Sequence, residues 1–187
     1  RNRIAMLGPK LAGLCKDDFA DGAIVHWARS LATGAELTPE EWAVASEVEA
    51  VFECMYLMAA ADGDLGKDEL LLLSQTLEAI ISSSERAGGS RFELTLPLLK
   101  LGETLDRFSG LLAEHGLPRR IESVARRLVS AKSRALALSL AAGVAFVDDF
   151  VAEGEMESLD GLARALGFDH GDALRVLREA HTALASS

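Results

Sequence analysis

The sequence predicts an all-α fold, a compact bundle of about seven helices arranged as two pseudo-symmetric helix-turn-helix halves. Leu and Ala dominate the apolar residues, which make up 49% of the chain, whereas aromatic residues contribute only 5%. This composition favours helix over strand. Apolar residues recur at helical spacing, and no segment shows the alternation that is typical of a half-buried strand.

The helices are predicted from apolar periodicity and from the residues that begin and end them. Thr38 suits an N-cap, Pro39 suits the first helical position, and Glu41 completes a capping box. The helix that begins there ends at Asp62-Gly63, where glycine can adopt the left-handed conformation. The predicted helices span residues 21–33, 38–61, 66–82, 96–114, 118–149, 153–166 and 170–185.

Composition and charge exclude several classes of protein. The net charge of −10 argues against a nucleic-acid-binding protein, because neutralising phosphates requires an excess of Lys and Arg. The longest nearly uninterrupted apolar segment, residues 135–147, is shorter than the roughly 18 residues that a membrane span needs, so it predicts a buried core helix. Cys15 and Cys54 lack the spacing of a metal site and are predicted to be reduced and buried.

Two acidic segments that lie 86 residues apart indicate an internal repeat. Each segment follows an apolar helix of small residues and precedes an amphipathic helix. The matching pairs are Asp62 and Asp148, Leu65 and Val151, and Glu69 and Glu155. Helix pairs that are repeated in this way commonly pack about a pseudo-twofold axis, so we expect the two acidic turns to have related geometry.

The aspartates of both segments fall near predicted helix C-termini, where the macrodipole is negative. A carboxylate is disfavoured there by roughly 0.3–1 kcal/mol, and a divalent cation bound by carboxylates and free helix carbonyls would offset this cost. The alternative is a plain turn, in which Asp62 bonds its own backbone while Glu69 and Glu155 favour the first turns of their helices. The first segment is not an EF-hand, because Lys67 replaces the required glycine and Leu73 replaces the required glutamate.

The pattern Ala-Asp-Gly-x-Leu-x-x-x-Glu after an apolar helix, at Met58–Glu69 and again at Val147–Glu155, resembles the TerB tellurite-resistance family. The resemblance begins at about residue 38. We therefore expect residues 1–37 to form an N-terminal helical extension and residues 38–187 to form a TerB-like helical domain. The second copy departs from the family pattern at Asp149, where glycine is usual, and at Phe150, where a polar residue is common.

The resemblance implies a cytoplasmic, non-enzymatic adaptor that is linked to tellurite and chemical stress and acts beside the membrane protein TerC or fused to other modules. It also implies a cluster of acidic residues that binds a divalent metal ion. Ca²⁺ or Mg²⁺ suits such oxygen ligands best. The candidate metal ligands are Asp62, Asp64, Glu69, Asp148, Asp149 and Glu155.

Two other functions stay open. In the first, the acidic turns are only turns, and the chain is a structural protein-interaction domain without metal, which binds a partner through an arginine sector or through the acidic stretch Glu36–Glu69. Two faces of opposite sign would also allow head-to-tail association with a second copy. The arginines of this sector, on the predicted helix at 118–149, are Arg119, Arg120, Arg126, Arg127 and Arg134. In the second, the carboxylates hold a metal-bound water in a hydrolase. The sequence supplies no distinctive general base and none of the common catalytic motifs, so no enzyme activity is predicted.

Overall fold

The computed structural model describes residues 9–10, 13, 22–61, 65–85, 91–146 and 153–185. This part of the chain is all-helical and contains no strand, which confirms the predicted fold class. None of the helices described is both long enough and apolar enough to cross a membrane. Nine helices are assigned within these ranges: α1 (Ala23–Ser30), α2 (Pro39–Ala59), α3 (Lys67–Glu85), α4 (Arg91–Leu99), α5 (Leu101–His115), α6 (Leu117–Arg127), α7 (Ala131–Ala145), α8 (Glu153–Ala165) and α9 (His170–Ala185).

Two of the predicted helices are each divided into two, which accounts for nine helices where about seven were expected. The predicted helix at 96–114 is α4 followed by α5, and Pro97 lies inside α4. Because proline lacks an N–H group, Pro97 cannot donate to the carbonyl four residues earlier, which weakens a continuous helix through this segment. The predicted helix at 118–149 is α6 followed by α7.

The core is built around α2 and α7, two helices that are apolar on most sides. α2 buries twelve of its 21 residues, and α7 buries ten of its 15 residues. Helices that are buried all round need neighbours on every side. Accordingly, α1, α6 and α7 pack against α2, while α2, α8 and α9 pack against α7.

The two central helices run in the same direction. Near the start of the pair, the Glu47 carboxylate on α2 accepts a hydrogen bond from the Ser133 hydroxyl on α7. About two turns further along α7, Leu140 lines the same small internal cavity as Phe52 and Met55, which are also further along α2. The C-terminal ends of α2 and α7 therefore lie at the same end of the molecule.

The segment before residue 38 contributes to this core. α1 packs along α2, and Trp27 is almost fully buried. The Trp27 ring lies tilted against the Phe52 ring, with the ring centroids 5.7 Å apart. This packing makes α1 an integral part of the described fold, and the domain boundary between residues 37 and 38 stays a prediction.

Candidate functional site

The two acidic turns connect helices whose boundaries keep the offset of the sequence repeat. α2 and α7 end 86 residues apart, at Ala59 and Ala145, and α3 and α8 begin 86 residues apart. The C-cap residues also match in conformation, since Ala60 has φ −89° and ψ 0° and Phe146 has φ −87° and ψ 3°. The two halves of the repeat therefore leave their central helices in the same way.

Both turns also begin at the same end of the molecule, because α2 and α7 are parallel. Glu47 and Ser133, which contact each other across the two helices, are themselves 86 residues apart. Contact between equivalent positions is what an approximate twofold axis between the halves produces. The negative ends of both helix macrodipoles consequently face the same side.

The structure describes two of the six predicted metal ligands. Glu69 and Glu155 are each the third residue of their helix, α3 or α8, and both are half-buried. Four predicted ligands lie outside the described residues: Asp62, Asp64, Asp148 and Asp149. Within the described ranges, no three His, Cys, Asp or Glu side chains come together as a group that could hold a metal ion.

The Glu69 side chain folds back over the start of α3. Its carboxylate occupies the space that a Cβ atom on Gly66 would need. The Gly66 carbonyl accepts a hydrogen bond from the Leu70 N–H group, at 3.0 Å. A carboxylate in this position is stabilised by the positive end of the helix macrodipole. It suits both a helix-capping role and a role as a ligand for a cation held by the preceding turn.

The metal-ligand atoms expected at this end of the molecule are oxygens. The last carbonyls of an α-helix have no partner within the helix, and the side chains that follow α2 and α7 in the sequence are carboxylates. Ca²⁺ takes roughly six to eight oxygen ligands of this kind, and Mg²⁺ also prefers oxygen. Softer metals favour thiolate or imidazole ligands instead. The donor set therefore fits a hard divalent cation.

A charged cluster that the sequence analysis missed lies between α2 and α6. Glu53 is only 1% exposed. Its Oε1 atom accepts hydrogen bonds from Arg120 Nη2 at 2.8 Å and Arg127 Nη2 at 2.7 Å, and its Oε2 atom accepts one from Arg120 Nε at 3.0 Å. A buried carboxylate needs such partners because its desolvation costs several kcal/mol. The sequence contains one indication of this burial, because Glu53 is the only charged residue between Ala50 and Ala61.

The predicted continuous helix at 118–149 is wrong, and Glu47 helps to explain why. Its Oε1 atom accepts hydrogen bonds from the backbone N–H groups of Val129 and Ser130, both at 3.2 Å. Ser130 is the N-cap of α7, and its hydroxyl accepts a hydrogen bond from the Ser133 N–H group at 3.1 Å. These side chains satisfy backbone donors that a continuous helix would have paired internally.

The arginines that were predicted to form one docking sector are mostly engaged within the molecule. Two of them bind the buried glutamate of α2, as described above. Arg134 donates hydrogen bonds to the carbonyls of Leu128, at 2.7 Å, and Leu166, at 3.1 Å. Of the five, Arg119 and Arg126 are exposed. The set therefore does not form a single free docking face.

Cys54 follows the buried glutamate and is itself a buried free thiol, as predicted. Burial raises the pKa of the Cys54 thiol well above its usual range, and the adjacent Glu53 carboxylate raises it further. Arg127 acts in the opposite direction. The thiol is consequently neutral and unsuited to nucleophilic chemistry. Cys15 lies outside the described residues.

No protein-family model, curated protein or solved structure matches this chain. The resemblance to the TerB family therefore stays a prediction, which rests on the motifs at Met58–Glu69 and Val147–Glu155. The agreement between the helix boundaries and the 86-residue repeat is independent of that resemblance, since it follows from the helix ends alone.

Proposed function

We propose that this chain is a TerB-like adaptor domain that binds a divalent cation through its two acidic turns and has no enzyme activity. The observation that carries the proposal is the parallel packing of α2 and α7. Their C-terminal ends, at Ala59 and Ala145, lie at one end of the molecule, and an acidic segment follows each of them in the sequence.

Electrostatics supports a cation at this end. Two negative helix ends, each followed by aspartates, repel one another when they face the same side of a molecule. A divalent cation relieves that repulsion, and the oxygen donors favour Ca²⁺ or Mg²⁺. Glu69 and Glu155 add support because they are half-buried at equivalent positions in the helices that follow the turns.

A cation shared by the two turns would fix the halves of the domain relative to each other, because the free energy of metal binding adds to that of folding. In this role the domain presents a surface to a protein partner and performs no reaction. The cytoplasmic location, the membrane-associated partner and the link to tellurite or chemical stress are proposed on the strength of the TerB resemblance alone.

The test is a thermal melt of EDTA-treated protein with Ca²⁺, Mg²⁺, Mn²⁺ or Zn²⁺ added back. At a free cation concentration about 100 times the Kd, binding adds about 2.7 kcal/mol to the stability. For a chain of this length that corresponds to a rise in Tm of about 5–10 °C. We expect Asp62→Ala and Asp148→Ala each to abolish the rise. Glu157→Ala, which removes an exposed carboxylate elsewhere on α8, should keep it.

The pattern among the variants decides how many sites there are. Loss of the rise in both aspartate variants supports one shared site, whereas a partial rise in each supports two separate sites. No rise with any cation, together with aspartate variants that melt like the wild type, would contradict metal binding. The acidic turns would then be local structure, and the protein-interaction domain without metal would be the better account.

A further inference from the structure

An open groove of about 370 Å³ lies between α2 and α5, beside Leu65. Leu65 is the first described residue after the first acidic turn. Leu105 and Leu112 of α5 supply apolar walls, and polar groups come from Tyr56, Asp106 and Ser109. The volume lies at the lower end of the range for ligand pockets, about 300–1,000 Å³, and is large enough to take one long side chain.

Tyr56 contributes an accessible hydroxyl group to the groove, since it is not among the buried polar atoms that lack a partner in the described residues. The residue is 5% exposed, and its ring packs against Phe108 with the ring centroids 5.6 Å apart. Its hydroxyl makes no hydrogen bond to any residue in the part of the chain that the structure describes, although it lines the groove. A tyrosine hydroxyl can both donate and accept a hydrogen bond, so this one is available to a group that enters the groove.

The charge of the groove is negative. Asp106 is exposed at its rim and forms no ion pair with the residues that the structure describes. The nearest basic residue in sequence, Arg107, is paired with Glu49 on α2 at 3.0 Å. The groove thus combines apolar walls, an unneutralised carboxylate and a free hydroxyl, which match the methylene chain and the charged head of a Lys or Arg side chain.

The outer face of α5 leaves room for another chain to approach. Gly110 and Ala113 lie on this face beside Asp106, and both are exposed. A Cβ atom on Gly110 would meet nothing within 4 Å. Small residues of this kind allow the backbone of a partner to come close enough for its side chain to reach between α5 and α2.

We propose that this groove binds a lysine or arginine side chain, flanked by apolar residues, from a protein partner. The side-chain stem lies along Leu105 and Leu112, the charged head pairs with the Asp106 carboxylate, and one of its N–H groups donates to the Tyr56 hydroxyl oxygen. The inference deepens the proposed adaptor role, on which it rests, by naming the chemistry of the partner segment. It does not require a bound cation.

The test uses the fact that Tyr56 is the only tyrosine of the chain. Labelling tyrosine with a carbon isotope at Cζ gives a single NMR signal that responds to hydrogen bonding of the hydroxyl. The probes are the peptide acetyl-Leu-Ala-Lys-Ala-Leu-amide, its arginine analogue, and controls in which norleucine or glutamate replaces the lysine. Titrations are run in EDTA, so that their result is separate from that of the metal melts.

We expect the lysine and arginine peptides to shift the Tyr56 signal with saturation, at a Kd of about 1 mM or below, and the norleucine and glutamate peptides to leave it unchanged. Asp106→Asn should weaken binding about threefold to fivefold, as expected for a partly exposed ion pair. Glu103→Gln, a matched change on the same helix outside the groove lining, should bind like the wild type.

Three results would overturn the proposal. These are an equal shift with the norleucine peptide, an unchanged Kd in Asp106→Asn, and no shift with any peptide up to about 10 mM. Because Asp106 is exposed, its substitution is not expected to impair folding. Peptide binding in a protein that shows no metal response would leave the groove proposal standing and refute only the cation.

Discussion

Replacing Glu53 by glutamine should destabilise the protein strongly, although the side chain keeps its size. The carboxylate is 1% exposed and accepts three hydrogen bonds from Arg120 and Arg127. In Glu53→Gln, one oxygen acceptor is replaced by an amide that donates hydrogen bonds, and the negative charge is lost. The two arginine side chains are only 11% and 25% exposed, so both would remain largely desolvated without a counter-charge.

The magnitude follows from this burial. Removing one partner of a buried ion pair costs about 3–5 kcal/mol. Because both arginines keep some exposure and can turn their heads partly toward water, we expect a loss near the lower end, about 3 kcal/mol. For a chain of this length, each kcal/mol lowers the Tm by about 2–4 °C, so the Tm should fall by about 6–12 °C.

Urea unfolding and thermal melts of the purified variant measure this loss directly. Glu49→Gln is the matched control on the same helix, since the Glu49 carboxylate is 17% exposed and its partner Arg107 is 47% exposed. A pair of this kind contributes about 0–1 kcal/mol. If Glu53→Gln loses less than about 1 kcal/mol, or no more than the control, then the buried cluster does not hold α6 on α2 and the reasoning is refuted.

Other parts of the structure make equally specific predictions. Glu47→Ala removes the acceptor of two backbone N–H groups at the break between α6 and α7, so we expect a loss of about 2 kcal/mol and faster amide exchange there; unchanged exchange would contradict this role. In a Cys15→Ser background, the buried Cys54 thiol should react with a thiol reagent only when the protein unfolds. Reaction in the folded protein at the rate of a free thiol would contradict its burial. Folding raises the pKa of the Cys54 thiol above its ordinary value of 9.0, so above about pH 9 this thiol ionises only in the unfolded protein. The free energy of unfolding should therefore fall by up to about 1.4 kcal/mol per pH unit, and a Cys54→Ala variant should lack this fall. Gly66→Ala should displace the Glu69 carboxylate at a cost below about 1 kcal/mol and reduce the rise in Tm caused by cations; a full rise would show that Glu69 is not a ligand.

Local signals in the sequence predicted both ends of α2 to within two residues. Thr38 is the N-cap of α2, as predicted, since its hydroxyl accepts a hydrogen bond from the Glu41 N–H group at 3.2 Å. α2 ends at Ala59, two residues before the predicted end. Helix ends of this kind depend on residues that are only a few positions apart, so the local sequence is enough to predict them.

Long-range partners account for what the sequence did not reveal. Leu128 continues the apolar stripe of the predicted helix, and no proline or glycine marks an end there. The interruption depends on Glu47, which lies 82 residues from its partner Val129. Glu53 similarly depends on arginines 67 and 74 residues later. No local rule connects residues at such separations, so the sequence did not reveal either partner.

The measurement that tests the central claim most directly is paramagnetic broadening of amide NMR signals by Mn²⁺ in isotope-labelled, metal-free protein. A substoichiometric amount of Mn²⁺ should broaden the signals of Ala60 and Phe146 together, because the ends of α2 and α7 lie at one end of the molecule. The signals of Glu40 and Ala131, at the starts of these helices, should stay sharp, since Glu40 is about 30 Å from Ala60 along α2. Broadening at one helix end only, or at exposed carboxylates over the whole surface, would contradict a cation site shared by the two turns.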